Sequence, residues 1–162
     1  MKDTEIADVE LIRDYAVALT RLWRAVTEPV QILQWFGPEG VYLDDCQMDF
    51  RTPGPWSCTM RGKDSGSRFK VSGQITHVSP PEDGRGSVGF TWAWHDEDDR
   101  RGPESHVSFL VEETASGARL TLTHRDLASA EAAQDHTRGW LSTLRKMDFF
   151  LDPQASLVPT TH

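Results

Sequence analysis

The chain has 162 residues, with 17 Lys and Arg against 25 Asp and Glu, and its formal net charge of −8 argues against nucleic acid or an anionic membrane surface as the main partner. A hydrophobic content of 38% suits one globular domain, and two cysteines are too few for a disulfide scaffold or a four-cysteine zinc site. Since no apolar run approaches the roughly 20 residues that cross a bilayer and no signal peptide is evident, we expect a cytoplasmic protein without membrane insertion.

The N-terminal quarter of the sequence predicts one strand and two short helices. Residues 1–10 are polar and predict a flexible N-terminus. Residues 11–19 are interpreted as a strand with Leu11, Arg13, Tyr15, Val17 and Leu19 on one face. Thr20 then suits a helix N-cap, Pro29 suits the first turn of a second helix, and Gly37 ends that helix.

Six alternating segments between residues 41 and 124 predict six antiparallel strands joined by turns rich in Gly and Pro. A long helix follows from about Ser129, with Trp140, Leu144, Met147 and Leu151 at spacings of four, three and four. Because each strand has one apolar face, the helix must cover the sheet on that side. A curved sheet around one helix cannot close everywhere, so an internal cavity is expected.

Five short segments, taken together in their order, match a known family. They are Val26–Pro29, Trp35–Pro38, Met48–Arg51 followed by Trp56, Arg119–His124 and His136–Trp140. The whole pattern of one strand, two helices, six strands and a long helix resembles the helix-grip fold of the START and Bet v 1-like superfamily, also called SRPBCC. Within that superfamily the chain is similar to the subgroup homologous to the C-terminal domain of the activator of the 90-kDa heat-shock protein ATPase.

The resemblance implies an α+β protein in which a curved antiparallel sheet of about seven strands wraps around the C-terminal helix. It implies one helix-grip domain over residues 11–152. Residues 153–162 hold two Pro and no periodic pattern, which predicts a disordered tail. The sequence departs from the family at Pro53-Gly54-Pro55, where a Gly-Gly pair is usual, so the turn must differ locally. The eukaryotic activators also carry a separate N-terminal domain, for which we expect no room here, so their activity is not carried over.

Members of the superfamily have a cavity for lipophilic molecules, and a minority are cyclases, hydrolases or dehydratases. We expect the cavity to be lined by inward-facing side chains, with Trp35 near its opening. The alternative is that these rings simply fill the core. The candidate ligand-binding residues are Trp35, Met48, Trp56, Met60, Phe90, Trp92, Trp94, Phe109, Leu122, His124, His136, Trp140 and Leu144.

Two histidines are candidates for acid/base chemistry or for orienting a ligand. His124 ends an inward-facing series on a strand, and His136 lies four residues before Trp140 on the inner face of the helix. The alternative for each is a structural histidine bonded to the backbone or to water. Gly139 within the same helix is interpreted as a site of close packing against the sheet, with a ligand contact as the second interpretation.

Three carboxylates and two cysteines complete the set of candidates. Asp96, Asp98 and Asp99 could hold a hard cation, but the segment lacks the Gly and the late Glu of a calcium loop, which favours a solvated hairpin tip. Cys46 and Cys58 face the same way on neighbouring strands, so a disulfide is conceivable. A reducing cytoplasm favours two buried thiols instead.

The sequence thus predicts a binding protein for a lipophilic or aromatic small molecule, without a cofactor or a metal. One alternative is a cyclase or hydrolase acting on a polyketide-like substrate, with His124 or His136 as its acid/base. Another is an interaction module for a chaperone, with a part in the stress response. A protein partner or a homodimer stays open in each case.

Overall fold

The computed structural model describes residues 7–152, and within them an antiparallel sheet of seven strands packs against three helices. This architecture confirms the predicted α+β helix-grip fold. The elements in chain order are β1 (Ala7–Tyr15), α1 (Leu19–Thr27), α2 (Pro29–Trp35), β2 (Val41–Gln47), β3 (Gly54–Gly62), β4 (Arg68–Glu82), β5 (Arg85–Trp94), β6 (Ser105–Thr114), β7 (Gly117–Leu127) and α3 (Ala130–Leu151).

The strands lie in the order β1-β7-β6-β5-β4-β3-β2, so consecutive strands from β2 to β7 are neighbours. Strand β1 pairs with β7, which places β1 and β2 at opposite edges of the sheet. Helices α1 and α2 therefore carry the chain from one edge to the other across the inner face. The core lies between these two helices, α3 and the inward side chains of the sheet.

Helix α3 begins with a side-chain cap and presents one apolar stripe to the sheet. The Ser129 hydroxyl oxygen accepts a hydrogen bond from the backbone N–H of Ala132 at 3.0 Å, and Glu131 lies in the first turn, where a carboxylate is favourable. The buried residues of the helix follow the predicted spacing, and they are Trp140, Thr143, Leu144, Met147 and Leu151.

The first strand begins and ends four residues before the predicted positions. It takes in residues 7–10, which the sequence assigned to a flexible N-terminus, because Val9 and its neighbours pair with β7. Helix α1 begins at Leu19 after Ala18, which provides no side-chain cap, so the predicted N-cap role of Thr20 is wrong. The predicted disordered tail at 153–162 lies outside the described residues.

The two cysteines form a disulfide, and the expectation of two buried thiols is wrong. The pairing of β2 with β3 shifts register between Asp44 and Gln47, and Asp45 adopts a left-handed conformation with φ 59°. This irregularity brings Cys46 beside Cys58, with 4.1 Å between their Cα atoms. The prediction of two thiols rested on the reducing cytoplasm, whereas the register shift in β2 decides whether the two sulfur atoms come into contact.

Within residues 7–152, no helix combines the length and the hydrophobicity that crossing a membrane requires.

We expect Ser129→Ala to lower the free energy of unfolding by about 1 kcal/mol, because the Ala132 N–H loses its acceptor at the start of α3. Urea denaturation followed by circular dichroism measures this change. Ser129→Asp provides an equally good cap and is expected to retain the stability of the wild type. Equal losses in both variants would contradict the capping role.

Candidate functional site

A cavity of about 270 Å³ lies between the N-terminal half of α3, the segment that follows α2, and strands β2 to β5. Its walls are largely apolar and include the rings of three tryptophans and two phenylalanines. The residues that line it are Phe36, Gly37, Pro38, Val41, Met60, Phe69, Trp92, Trp94, Asp135, His136, Gly139, Trp140 and Thr143. Trp94 and Phe69 are 38% and 47% exposed, so the cavity is reached from solvent beside these two rings.

The structure brings five of the predicted site residues to this cavity, and the other eight do not line it. Those at the cavity are Met60, Trp92, Trp94, His136 and Trp140. The remaining eight are buried in the adjoining core, where the rings pack edge to face, and they are Trp35, Met48, Trp56, Phe90, Phe109, Leu122, His124 and Leu144. The core interpretation of the aromatic residues therefore applies to the deeper ones, and the cavity interpretation to the outer ones.

Trp35 does not lie near the opening, as the sequence predicted, but is fully buried. It is the last residue of α2, and its indole N–H donates to the carbonyl oxygen of Ala25 at 2.8 Å. Phe36 follows in an extended conformation with φ −68° and ψ 144°, so its side chain leaves the helical direction and joins the cavity wall. The end of the helix decides which of two adjacent rings reaches the cavity.

His124 is held by hydrogen bonds on both ring nitrogens. Its Nδ1 accepts from the indole N–H of Trp140 at 3.0 Å, so in the neutral ring Nε2 carries the proton and lies 2.7 Å from the Ser105 hydroxyl. The Ser105 hydroxyl then donates to the carbonyl oxygen of Trp92 at 3.3 Å. Burial, with a smaller contribution from the nearby His136, lowers the pKa of His124 to about 3. His124 is therefore neutral at pH 7 and joins α3 to the sheet.

His136 lies at the cavity and is packed among aromatic rings. Its ring stacks on Trp94 with 6.2 Å between centroids and 29° between planes, and the Trp94 indole N–H approaches its Nε2 at 3.5 Å. Burial lowers the pKa of His136, and the adjacent Asp135 opposes that shift. An acid/base histidine needs a carboxylate to orient its ring, and the adjacent Asp135 pairs with Arg138 instead of with His136. The acid/base role of His136 therefore stays a prediction.

The segment from Phe36 to Gly40, which we call the 36–40 loop, is fastened to α3 by three side chains of that helix. Lys146 donates to the carbonyl oxygens of Phe36 and Gly37 at 3.3 and 3.2 Å, and burial lowers the pKa of this amine. Ser142 accepts from the backbone N–H of Glu39 at 2.8 Å, and Arg145 pairs with the Glu39 carboxylate at 3.1 Å. These contacts hold the loop as one wall of the cavity.

Gly139 opens onto the cavity, and the interpretation of close packing against the sheet is wrong. A Cβ atom built at this position meets no atom within 4 Å. The residue instead lines the cavity, and the second interpretation, a ligand contact, stays a prediction.

Seven further residues line the cavity without having been predicted from the sequence, and two of them carried a usable signal. Thr143 lies three residues after Trp140 on the same helical face. Phe69 pairs directly with Met60 across β3 and β4, so it shares the inward face that Met60 occupies. Those without such a signal belong to the 36–40 loop or its flank, or lie at the cavity rim, and they are Phe36, Gly37, Pro38, Val41 and Asp135.

The described residues contain no group of three or more His, Cys, Asp or Glu side chains that could hold a metal ion. Of the three carboxylates considered for a cation, those of Asp96 and Asp99 are engaged with groups of the protein. Asp96 accepts from the backbone N–H of Asp98 and of Arg100, and Asp99 pairs with Lys70 and His95.

Comparison with known proteins assigns the family. The family described as activator of Hsp90 ATPase homolog 1-like protein matches residues 16–152. The chain belongs to this family. The AHSA1 protein from Silicibacter pomeroyi, which has a crystal structure, shares 49% sequence identity with this chain. The two structures superpose with a TM-score of 0.84, over 90% of this chain and 97% of that one.

Two more distant structures show the same fold. A protein from Mycobacterium smegmatis is 25% identical, with a TM-score of 0.70 over 98% of each chain. A protein from Chromobacterium violaceum is 19% identical, with a TM-score of 0.78 over 91% of this chain and 98% of that one, and at this identity the likeness shows the fold alone. No protein of curated function matches this sequence.

Acid is expected to destabilise the fold through His124. Between pH 6.5 and about 3 the unfolded chain binds a proton at this residue and the native protein does not, so the free energy of unfolding falls by up to about 1.4 kcal/mol per pH unit as the pH drops. Urea denaturation of the wild type and of His124→Asn at several pH values isolates this contribution. The difference in unfolding free energy between the two proteins should shrink as the pH falls. A difference that stays constant from pH 7 to 4 would show that His124 does not contribute to the acid destabilisation.

We expect Gly139→Ala to raise the free energy of unfolding by about 1 kcal/mol, because alanine favours the helix and its methyl group points into open space. Thermal and urea denaturation measure the gain. Gly117→Ala is the matched control, since a Cβ there would collide with the carbonyl oxygen of Tyr15, and it should destabilise the protein. Destabilisation by Gly139→Ala would restore the close-packing interpretation.

Proposed function

We propose that the protein binds a lipophilic or aromatic small molecule in the cavity between α3 and the sheet. The observation that carries this proposal is the composition of the walls, in which flat rings surround a space of about 270 Å³ that their own side chains leave unfilled. Burial of apolar surface supplies about 25 cal/mol per Å², and rigid rings lose little conformational entropy when a ligand packs on them.

The size of the cavity favours a small, flat molecule over a long lipid. Typical ligand pockets span about 300–1,000 Å³. The volume of about 270 Å³ lies just below that range. The exposed Trp94 and Phe69 beside the opening leave room for a substituent that extends into solvent.

A hydrogen-bond donor at the cavity favours a ligand that carries an acceptor group. His136 lines the cavity and accepts on Nε2 from Trp94, so in the neutral ring the proton resides on Nδ1. An acceptor such as a ligand carbonyl oxygen would pair with this N–H.

The two alternatives receive less support from the described residues. A cyclase or hydrolase needs an accessible acid/base, but His124 has both nitrogens engaged and His136 lacks an orienting carboxylate. The chaperone-interaction module rests on family membership alone. The cytoplasmic location also stays a prediction, and the disulfide weighs against it because cytosolic thiols are kept reduced.

Titration with N-phenyl-1-naphthylamine, a neutral and flat fluorescent probe, tests the proposal. We expect saturable binding, with quenching of tryptophan emission as the probe packs on Trp92 and Trp94. Gly139→Phe places a ring in the cavity and should weaken the binding at least tenfold. Native mass spectrometry gives the stoichiometry, which is expected to be one probe per chain.

The control for that experiment is Gln134→Phe, which adds the same ring to an exposed position of α3 that does not line the cavity. This variant should bind the probe as the wild type does. Absence of saturable binding, or equal affinity in the wild type and Gly139→Phe, would refute the cavity as the binding site.

A further inference from the structure

The loop from His95 to Arg101, which connects β5 to β6, brings together a serine, a histidine and an aspartate outside the cavity. The Ser72 hydroxyl lies 2.7 Å from Nε2 of His95, and Nδ1 of the same ring lies 2.8 Å from the carboxylate of Asp99. Ser72 is in β4, where it alternates with the buried, inward-facing Val71. This group therefore occupies the outer face of the sheet, opposite to the face that carries the cavity.

The three side chains are held in place by the loop itself. The His95 side chain is only 9% exposed, and its backbone N–H donates to the carbonyl oxygen of Lys70. Asp99 adopts a left-handed conformation with φ 63°, and its carboxylate also pairs with Lys70 at 3.3 Å. The hydrogen bonds from His95 and Lys70 lower the pKa of the Asp99 carboxyl. Asp99 is therefore an ionised acceptor that fixes the His95 proton on Nδ1.

This proton position leaves Nε2 of the neutral His95 ring as an acceptor, so the Ser72 hydroxyl donates to it. Arg101 completes the arrangement on the other side of the serine. Its Nε donates to the Ser72 hydroxyl oxygen at 3.0 Å, and its Nη2 donates to the Ser72 carbonyl oxygen at 3.1 Å. A guanidinium in this position favours negative charge on the hydroxyl oxygen and on an oxyanion beside it.

Two other serine–histidine pairs among residues 7–152 lack essential parts of this arrangement. Ser105 also lies 2.7 Å from the Nε2 of a histidine, but in His124 the proton is on Nε2, so this ring cannot accept a proton from the serine. Ser87 lies 3.2 Å from Nε2 of the exposed His77, which has no acidic partner among the described residues. Of the three pairs, Ser72–His95 alone combines an accepting Nε2, a carboxylate on Nδ1 and a neighbouring cation.

We propose that Ser72, His95 and Asp99 form a nucleophilic site for acyl transfer from small activated esters, with Arg101 stabilising the oxyanion. Ser72 Oγ attacks the ester carbonyl carbon while its proton moves to Nε2 of His95, and collapse of the tetrahedral adduct breaks the bond to the alcohol. His95 returns the proton to the departing alcohol, and water then releases the acid by the same route. Ser72 and His95 are the catalytic residues, and Asp99 is a positioning residue. This site is independent of the function proposed for the cavity.

A fluorophosphonate and p-nitrophenyl acetate test the proposal. Attack by Ser72 on the fluorophosphonate forms an O–P bond, releases fluoride and sends the hydroxyl proton to His95, so intact mass and peptide mapping should show one adduct on Ser72. Ser72→Ala and His95→Gln should lose the adduct and the release of p-nitrophenolate. Ser87→Ala should keep both, since the Ser87–His77 pair lacks the carboxylate.

Asp99→Asn separates positioning from folding. It is expected to reduce the labelling rate at least tenfold while the melting temperature stays within a few degrees, because asparagine also tolerates a left-handed backbone. Nitrogen-15 NMR of the His95 ring should show the proton on Nδ1 in the wild type and a mixture of tautomers in the variant. The proposal is overturned if Ser72 acquires no adduct, if His95→Gln folds and labels at the wild-type rate, or if Ser87 is labelled as fast as Ser72.

Discussion

The hydrogen bond from the Trp140 indole to Nδ1 of His124 is the contact on which the arrangement of the inner face depends. It fixes the middle of α3 on β7, and it does so through a histidine that burial keeps neutral. On the C-terminal side of Trp140, the helix packs its apolar stripe into the core. On the N-terminal side, Gly139 faces open space and His136 lines the cavity. The cavity lies directly beside this anchor, where the helix carries no side chain at Gly139.

The sequence predicted the elements of the fold well because their signals are local. Alternation along the strands and the three- and four-residue spacing after Ser129 report directly on which side chains are buried. The extension of β1 to Ala7 carried only a short signal, in which Ala7 and Val9 alternate with two acidic residues, and pairing with β7 decides where the strand begins. The alternation of side chains also could not predict the disulfide, because the disulfide follows from a register shift at Asp45, whose backbone is left-handed.

The site was predicted less completely than the fold, for reasons that lie in particular residues. The inward face of a strand shows that Trp56 and Trp92 are covered, but it does not show whether a ring or a void covers them. Trp35 and Phe36 are adjacent aromatics, and only the end of α2 between them decides which one meets the cavity. Ser72 and His95 lie 23 residues apart, so their contact depends on how β4 and β5 pair.

The attachment of the 36–40 loop combines contacts that differ in their sensitivity to dissolved salt. Lys146 is only partly accessible to solvent, so its bonds to Phe36 and Gly37 are little affected by counterions. The Glu39–Arg145 pair lies in solvent, and counterions weaken it. Because the backbone N–H of Glu39 is also bonded to the uncharged Ser142 hydroxyl, this wall of the cavity keeps its place when the ionic strength rises.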